Sequence, residues 1–310
     1  MGPVTVDTRS LMIEGAGMKE AGAITASRLV GGRSTSAKLI MKLELDFLPG
    51  TYGLLSGHEQ AGQQPDNLCG PYWVSLLLQA YGKFSLSSVD VAKTASTLLP
   101  SQGNLSEWLP SGATSRRGEG YDTIPTGPNI NECGTSVSGL IQAAEKLSEG
   151  RFCLLPLQTE NWESGLNNIV QICHSFPELG LVPLLNIHTS YLWSSRVSPS
   201  NVVQFLQSGE EPSTSADWSV GHFALLIANL QGQVQKLYAI LDTYPQFGWN
   251  GLHLQPPGAI AQSLHRPQQS TQGGILLFAP SKHSAQLQKA LVQQGFHIAP
   301  WDNGTPFCPA

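Results

Sequence analysis

The chain has 310 residues, 41% of them hydrophobic and 13% charged, with a formal net charge of −5. That length and apolar content suffice for one large hydrophobic core or two smaller ones, which excludes a wholly disordered chain. The negative balance supplies no basic field for nucleic acid or an anionic membrane surface, so neither is expected as a partner.

Met1 to Gly17 carries Asp7, Arg9 and Glu14 and has no continuous apolar run of the kind a secretory signal needs. Val6 stands where N-myristoylation requires Ser or Thr. The longest apolar stretches, such as Leu179 to Ile187, are too short to span a bilayer, so a soluble, cytoplasmic protein is the expectation. Cys69, Cys133, Cys153, Cys173 and Cys308 form an odd set without a C-x-x-C pair. Such a set fits free thiols in a reducing compartment better than a disulfide framework or a structural zinc site. Cys153 and Cys173, flanked by aliphatic residues, read as small buried apolar side chains.

Residues 1–37 are rich in Gly, Ser, Ala and Thr and read as a flexible leader or pro-segment ahead of a domain covering 38–310. Gly31 to Lys38 lacks the second glycine of a phosphate loop. Leu39, Met41, Leu43, Leu45 and Phe47 alternate with Lys42, Glu44 and Asp46, which predicts a half-buried strand ending at Pro49-Gly50. A helix begins at Cys69-Gly70-Pro71 and runs through Tyr72, Trp73, Val74, Leu76, Leu77, Leu78 and Tyr81. Pro71 fits its first turn, Cys69 lies at or beside the N-cap, and the apolar surround marks a helix that crosses a core.

Ser88 to Leu99 is helix-compatible and stops at Pro100. Residues 101–132, with Gly103, Pro110, Gly112, Gly118, Gly120, Pro125, Gly127 and Pro128, predict a long irregular loop of the kind that serves as a lid. Apolar residues recur at helical spacing over Thr135 to Gly150 and over Glu163 to Phe176. Strands are predicted over Leu181 to His188, Val220 to Leu230, Leu237 to Tyr244 and Gly274 to Phe278, with helices over Ser200 to Leu206 and Ser284 to Gln294. Helices first and an antiparallel sheet later give an α+β class.

Chemistry gathers around Cys69. Free N–H groups and the positive end of the helix dipole at its position favour a thiolate over a thiol. A nucleophilic cysteine also needs a base and a group that orients the base, and both can be remote in sequence. His222 opens the strand Gly221-His222-Phe223-Ala224-Leu225-Leu226-Ile227, where imidazole has no packing advantage over aliphatic neighbours. The next strand ends Ile240-Leu241-Asp242, and Gly232 is equidistant from 222 and 242. A hairpin centred there places the two side chains opposite each other, with Asp242 accepting the Nδ1–H of His222. Gln63, six residues before Cys69, supplies an amide donor for an oxyanion. Singly, His222 reads as a satisfied core histidine, Asp242 as a turn former and Gln63 as a solvated loop amide; together with Cys69 they point to nucleophilic catalysis. Cys133-Gly134-Thr135 also precedes a helix, but Gly127 stands six residues earlier and offers no amide.

Gln63 followed by Cys69-Gly70-Pro71 and an apolar helix, then Gly221-His222-Phe223 and Leu241-Asp242 in paired strands, resembles the papain-like cysteine peptidases. Within them it is most similar to the bacteriocin-processing peptidases that cut after double-glycine leaders and to their stand-alone relatives. The likeness covers about residues 60–82 and 181–245. Leu68 stands where those relatives usually carry Asp. The resemblance implies a nucleophile-bearing helix packed on an antiparallel sheet and a Cys69–His222–Asp242 triad with Gln63 at the oxyanion. It implies no metal or cofactor, and a peptide or amide substrate cleaved through a thioester. Transfer of the same acyl group to an amine, or peptide binding without catalysis, are the alternatives.

Overall fold

The computed structural model of the chain describes residues 4–6, 26–28, 45–102, 108–129, 132–267 and 269–304. In chain order these form β1 (Val4–Val6), β2 (Ala26–Arg28), β3 (Leu45–Phe47), α1 (Tyr52–Ala61), α2 (Cys69–Gly82), α3 (Ser88–Thr94), β4 (Leu99–Pro100), β5 (Thr126–Gly127) and α4 (Val137–Leu147). They continue with β6 (Phe152–Gln158), α5 (Trp162–Ser175), β7 (Val182–His188), α6 (Pro199–Ser208), β8 (Gly221–Gln231), β9 (Lys236–Leu241) and β10 (Leu252–Gln255). The last are α7 (Pro257–His265), β11 (Gly274–Pro280), α8 (Ser284–Gln293) and β12 (His297–Ile298).

An eight-stranded sheet runs β10-β9-β8-β7-β11-β6-β12, with β3 beside β8, and each of its pairings is antiparallel. The molecule is thus α+β. Its strands are apolar on both faces because helices cover both. Val182 and Leu184 of β7, with Leu276 and Phe278 of β11, join Trp73, Leu77, Leu140 and Ala144 of α2 and α4. Leu185 and Ile187, with Ile275 and Leu277, turn the other way onto Leu166, Ile169, Ile260, Leu264, Leu287 and Leu291 of α5, α7 and α8. Side chains of successive strand residues point to opposite faces, so each strand serves both cores.

Several expectations need correction. Ser88 begins α3, with a capping box between Ser87 and Asp90, but the helix ends at Thr94 rather than Leu99. Ser96 takes a left-handed φ of 54° there, and the Thr97 hydroxyl meets that of Thr135 at 2.8 Å, drawing the chain away to become β4. Only β3 of the predicted 39–47 strand lies within the described residues, and of the leader only β1 and β2, which pair with each other. The loop over 101–132 is not wholly irregular, since β5 pairs in parallel with β4. The helices and sheet also interleave more than expected, because β6 precedes α5. β6 sits inside the sheet despite Pro156, whose carbonyl accepts from Ala299.

Candidate active site

Cys69 is the first residue of α2. Two local features start the helix there. Asn67 adopts φ 59°, a left-handed conformation that Asn tolerates better than most residues, and Pro71 occupies the first turn, where no N–H is needed. Leu68 offers no side-chain cap. It is instead buried among Val89, Ala92, Leu99, Tyr121 and Ile124, a small core between α3 and the following loop.

Close packing then fixes the thiol against the sheet. A Cβ on Gly70 would lie 2.7 Å from Leu140 and 3.2 Å from Phe223, so only glycine lets α2 approach both α4 and β8 this tightly. One turn on, the Trp73 indole donates to the carbonyl of Phe223 at 3.0 Å. Phe223 directly follows His222, so the nucleophile helix is bonded to the strand that carries the base.

The His222 ring is fully buried and bonds through Nε2 to Asp242 Oδ1 at 3.2 Å, and the Cys69 sulfur is near enough to act on the charge of the imidazole. With Nε2 on the carboxylate, Nδ1 is the nitrogen left for sulfur. Burial by itself lowers the proton affinity of His222, but the Asp242 charge and hydrogen bond, with the nearby Cys69 sulfur, outweigh it and raise the pKa to about 10. Asp242 is likewise buried, which opposes ionisation, yet the facing His222 and His253 and the Tyr244 N–H hold it below the usual carboxylate value.

The side chains meet by a different route from the one predicted. The hairpin turn comprises residues 232–235, closed by Gly232 N–H to the Gln235 carbonyl at 2.8 Å, and is not centred on Gly232. A bulge at Ile227 then shifts the pairing: Ala228 faces Ala239 but Leu226 faces Ile240. The ladder ends at Leu225 and Leu241, and the Asp242 N–H goes to the Gly251 carbonyl at 2.8 Å. His222 and Asp242 are therefore diagonal neighbours beyond the last pair rather than opposed partners. The contacted nitrogen is Nε2, not Nδ1.

Gln63 precedes the nucleophile by six residues, and one of the two N–H groups of its amide is engaged. Nε2 donates to the Thr114 carbonyl at 2.6 Å, and Oε1 accepts from Gln246 at 3.2 Å. The adjoining Asp66 carboxylate accepts from Ser115 Oγ at 2.5 Å and from the Arg116 N–H at 3.0 Å, while the Arg116 guanidinium donates to the carbonyls of Ala61 and Gln63. The described part of the long loop thus braces the segment before the nucleophile.

A family profile matches residues 48–302, a span that includes every residue of the cluster. The chain belongs to DUF6885, a family of unknown function. No curated protein matches it.

Within this DUF6885 domain, further residues complete the site. Thr243 Oγ donates to Gln64 Oε1 at 2.6 Å and lies 3.4 Å from His222 Nε2, and the Gln64 N–H reaches the Thr243 carbonyl at 3.2 Å. Gln64, not Gln63, is the buried amide that joins the nucleophile segment to the end of β9. Trp218 meets the His222 ring edge to face at 5.1 Å and donates its indole N–H to the Trp108 carbonyl. Gln64 stood next to the singled-out Gln63, and Thr243 directly after Asp242, so adjacency was their only sequence signal. His253 and Gln255 carried a clearer one: with Leu252 and Leu254 they alternate polar and apolar at the spacing of one strand face.

The remaining described cysteines are placed differently. Cys173 is buried within the α5 core, and burial pushes its thiol well up. Cys153 is half-buried and raised by the same cause. Cys133 is buried, turns its thiol to the carbonyls of Asn129 and Gly127, and is raised chiefly by burial. Among the described residues no group of three or more His, Cys, Asp or Glu is arranged to hold a metal ion. Nor is any described helix long and apolar enough to cross a membrane.

Proposed function

We propose that this chain is a papain-like thiol hydrolase that cleaves a peptide or amide bond through an acyl-enzyme on Cys69. The observation that carries this reading is the buried His222, bonded to Asp242 and set close to a thiol at a helix N-terminus.

His222 takes the Cys69 proton on Nδ1 and the sulfur attacks the acyl carbon, forming a C–S bond while the carbonyl π-electrons move to oxygen. The Cys69 N–H and the second N–H of the Gln63 amide, whose first is held by the Thr114 carbonyl, receive that oxyanion. Collapse re-forms the C=O bond and breaks the C–N bond as His222 protonates the departing amine. A thioester remains. Water, deprotonated by His222, then releases the acid and restores the thiol. Asp242 keeps the ring in one tautomer throughout, as orienting carboxylates do.

A second amine in place of water would make the enzyme an acyltransferase with the same residues. The test is twofold. Cys69 is expected to be alkylated by iodoacetamide much faster than Cys153 at neutral pH, read by peptide mass spectrometry. A peptide library incubated with and without an added amine is expected to show hydrolysis that disappears in Cys69→Ala. Ordinary thiol reactivity together with unchanged cleavage by Cys69→Ala would refute catalysis at this site, and retained peptide binding without turnover would assign a binding domain instead.

A further inference from the structure

His253, on β10, faces Asp242 from the side opposite His222. It pairs with Ile240 across the ladder, so its side chain shares a sheet face with that of Asp242, two residues beyond Ile240. Its Nε2 lies 3.9 Å from Asp242 Oδ2, the oxygen that His222 does not contact. That Nε2 has no hydrogen-bond partner, although the residue is only 4% exposed.

The hydrogen-bond network determines which nitrogen carries the proton. The Gln255 amide is oriented by main chain: Oε1 accepts the Trp193 N–H at 2.8 Å and Nε2 donates to the Trp193 carbonyl at 3.0 Å. The same Nε2 is 3.0 Å from His253 Nδ1 and can only donate to it. Nδ1 is therefore an acceptor, and the proton of neutral His253 is on Nε2, aimed at the carboxylate. A cavity of about 20 Å³ lined by Asp242, His253, Asp217 and Trp218 adjoins the pair. It has room for one water to complete the bond.

We propose that His253 is a positioning residue of the Cys69 site: its Nε2–H, set by Gln255, holds Asp242 Oδ2 and thereby keeps Oδ1 on His222. This rests on the catalytic reading of Cys69. The chain of contacts then runs from the Trp193 backbone through Gln255, His253, Asp242 and His222 to the sulfur. Burial keeps His253 neutral by lowering its pKa, so it acts as a dipole donor and not as a second cation competing with His222. The other titratable groups facing Asp242 or His253 are Asp217, His58 and Tyr244, with Cys69 acting on His222 and Tyr244, and the test leaves them in place.

The experiment measures the rate of Cys69 alkylation by iodoacetamide from about pH 5 to about pH 9 in full-length wild type, His253→Phe and His253→Gln, with circular dichroism and thermal melting to check folding. His253→Phe is expected to raise the pH of half-maximal alkylation by about one unit, a roughly ten-fold loss of rate on the acidic side. His253→Gln keeps an N–H donor and is expected to recover most of that loss. A folded His253→Phe protein with an unchanged profile overturns the proposal while leaving fast Cys69 alkylation, and so the catalytic reading, intact. A wild-type Cys69 no faster than Cys153 overturns both. Nitrogen-15 NMR of His253 in the wild-type protein supplies a test independent of any variant: a neutral ring protonated at Nε2 is expected near neutral pH, and protonation at Nδ1 overturns the proposal.

Discussion

Trp73 and Phe223 join the two halves of the site, because the indole N–H of one is bonded to the carbonyl of the other at 3.0 Å. Trp73 is wholly buried, so the bond is not exchanged with water. Trp73→Phe preserves most of the apolar bulk and leaves that buried carbonyl short of a donor, at an expected loss of about 1–3 kcal/mol by urea unfolding. Alkylation of Cys69 is expected to slow as well, since the bond spaces sulfur from imidazole. A variant equally stable and equally reactive would remove the Trp73 bond from the account.

The ion pair carries its own pH signature. His222 is raised from 6.5 to about 10, so its stabilisation is full below about pH 6.5 and is lost as pH rises toward 10. Asp242 is held below its ordinary 3.8, so its contribution persists above 3.8 and is lost only as pH falls through its lower folded value. Urea midpoints of the wild type are expected to fall between pH 6.5 and 10. In Asp242→Asn that decline is expected to vanish or reverse, because burial alone lowers the His222 pKa. Parallel profiles for the two proteins would contradict the pairing.

Gln63 offers a separable test of oxyanion binding. Its donor would touch only the charge that develops during reaction, so Gln63→Ala is expected to lower kcat by roughly 10²- to 10³-fold with little change in KM. Cys69 alkylation, which forms no such oxyanion, is expected to be unaffected. A change confined to KM would mark Gln63 as a substrate contact.

Gly251 supports Asp242 from behind. It sits at φ 90°, and a Cβ there would lie 2.6 Å from the Asp242 carbonyl and 3.4 Å from His58 Nε2. Gly251→Ala combines left-handed strain with a backbone clash and is expected to destabilise by about 1–3 kcal/mol in thermal melting. A neutral result would mean that β10 can shift without disturbing Asp242.

What the sequence disclosed, and what it hid, follows from where polar residues interrupt apolar ones. The α2 helix was readable because Pro71 marks its start and Tyr72 to Leu78 leaves no polar gap long enough for a loop. The β8–β9 hairpin was readable as two strands, but not in register: Phe223 to Ala228 is apolar throughout, so an extra residue at Ile227 leaves no trace in the pattern. β6 escaped because Pro156 argues against an interior strand. Of the candidate residues, the positions of Cys69, His222 and Asp242 at element ends could be read locally. The engagement of Gln63 by Thr114 could not, since it joins segments 51 residues apart.

The stretch from Trp108 to Tyr121 grips both banks of the site, holding Trp218 beside His222 through the Trp108 carbonyl, and Gln63 and Asp66 through Thr114, Ser115 and Arg116. The Thr114 carbonyl takes one of the two N–H groups of the Gln63 amide and so fixes the direction in which the other can donate. For the catalysis proposed above, the bracing segment sets the aim of a donor as well as the footing of the nucleophile, so a change as far off in sequence as Thr114 would be felt at the reacting oxygen.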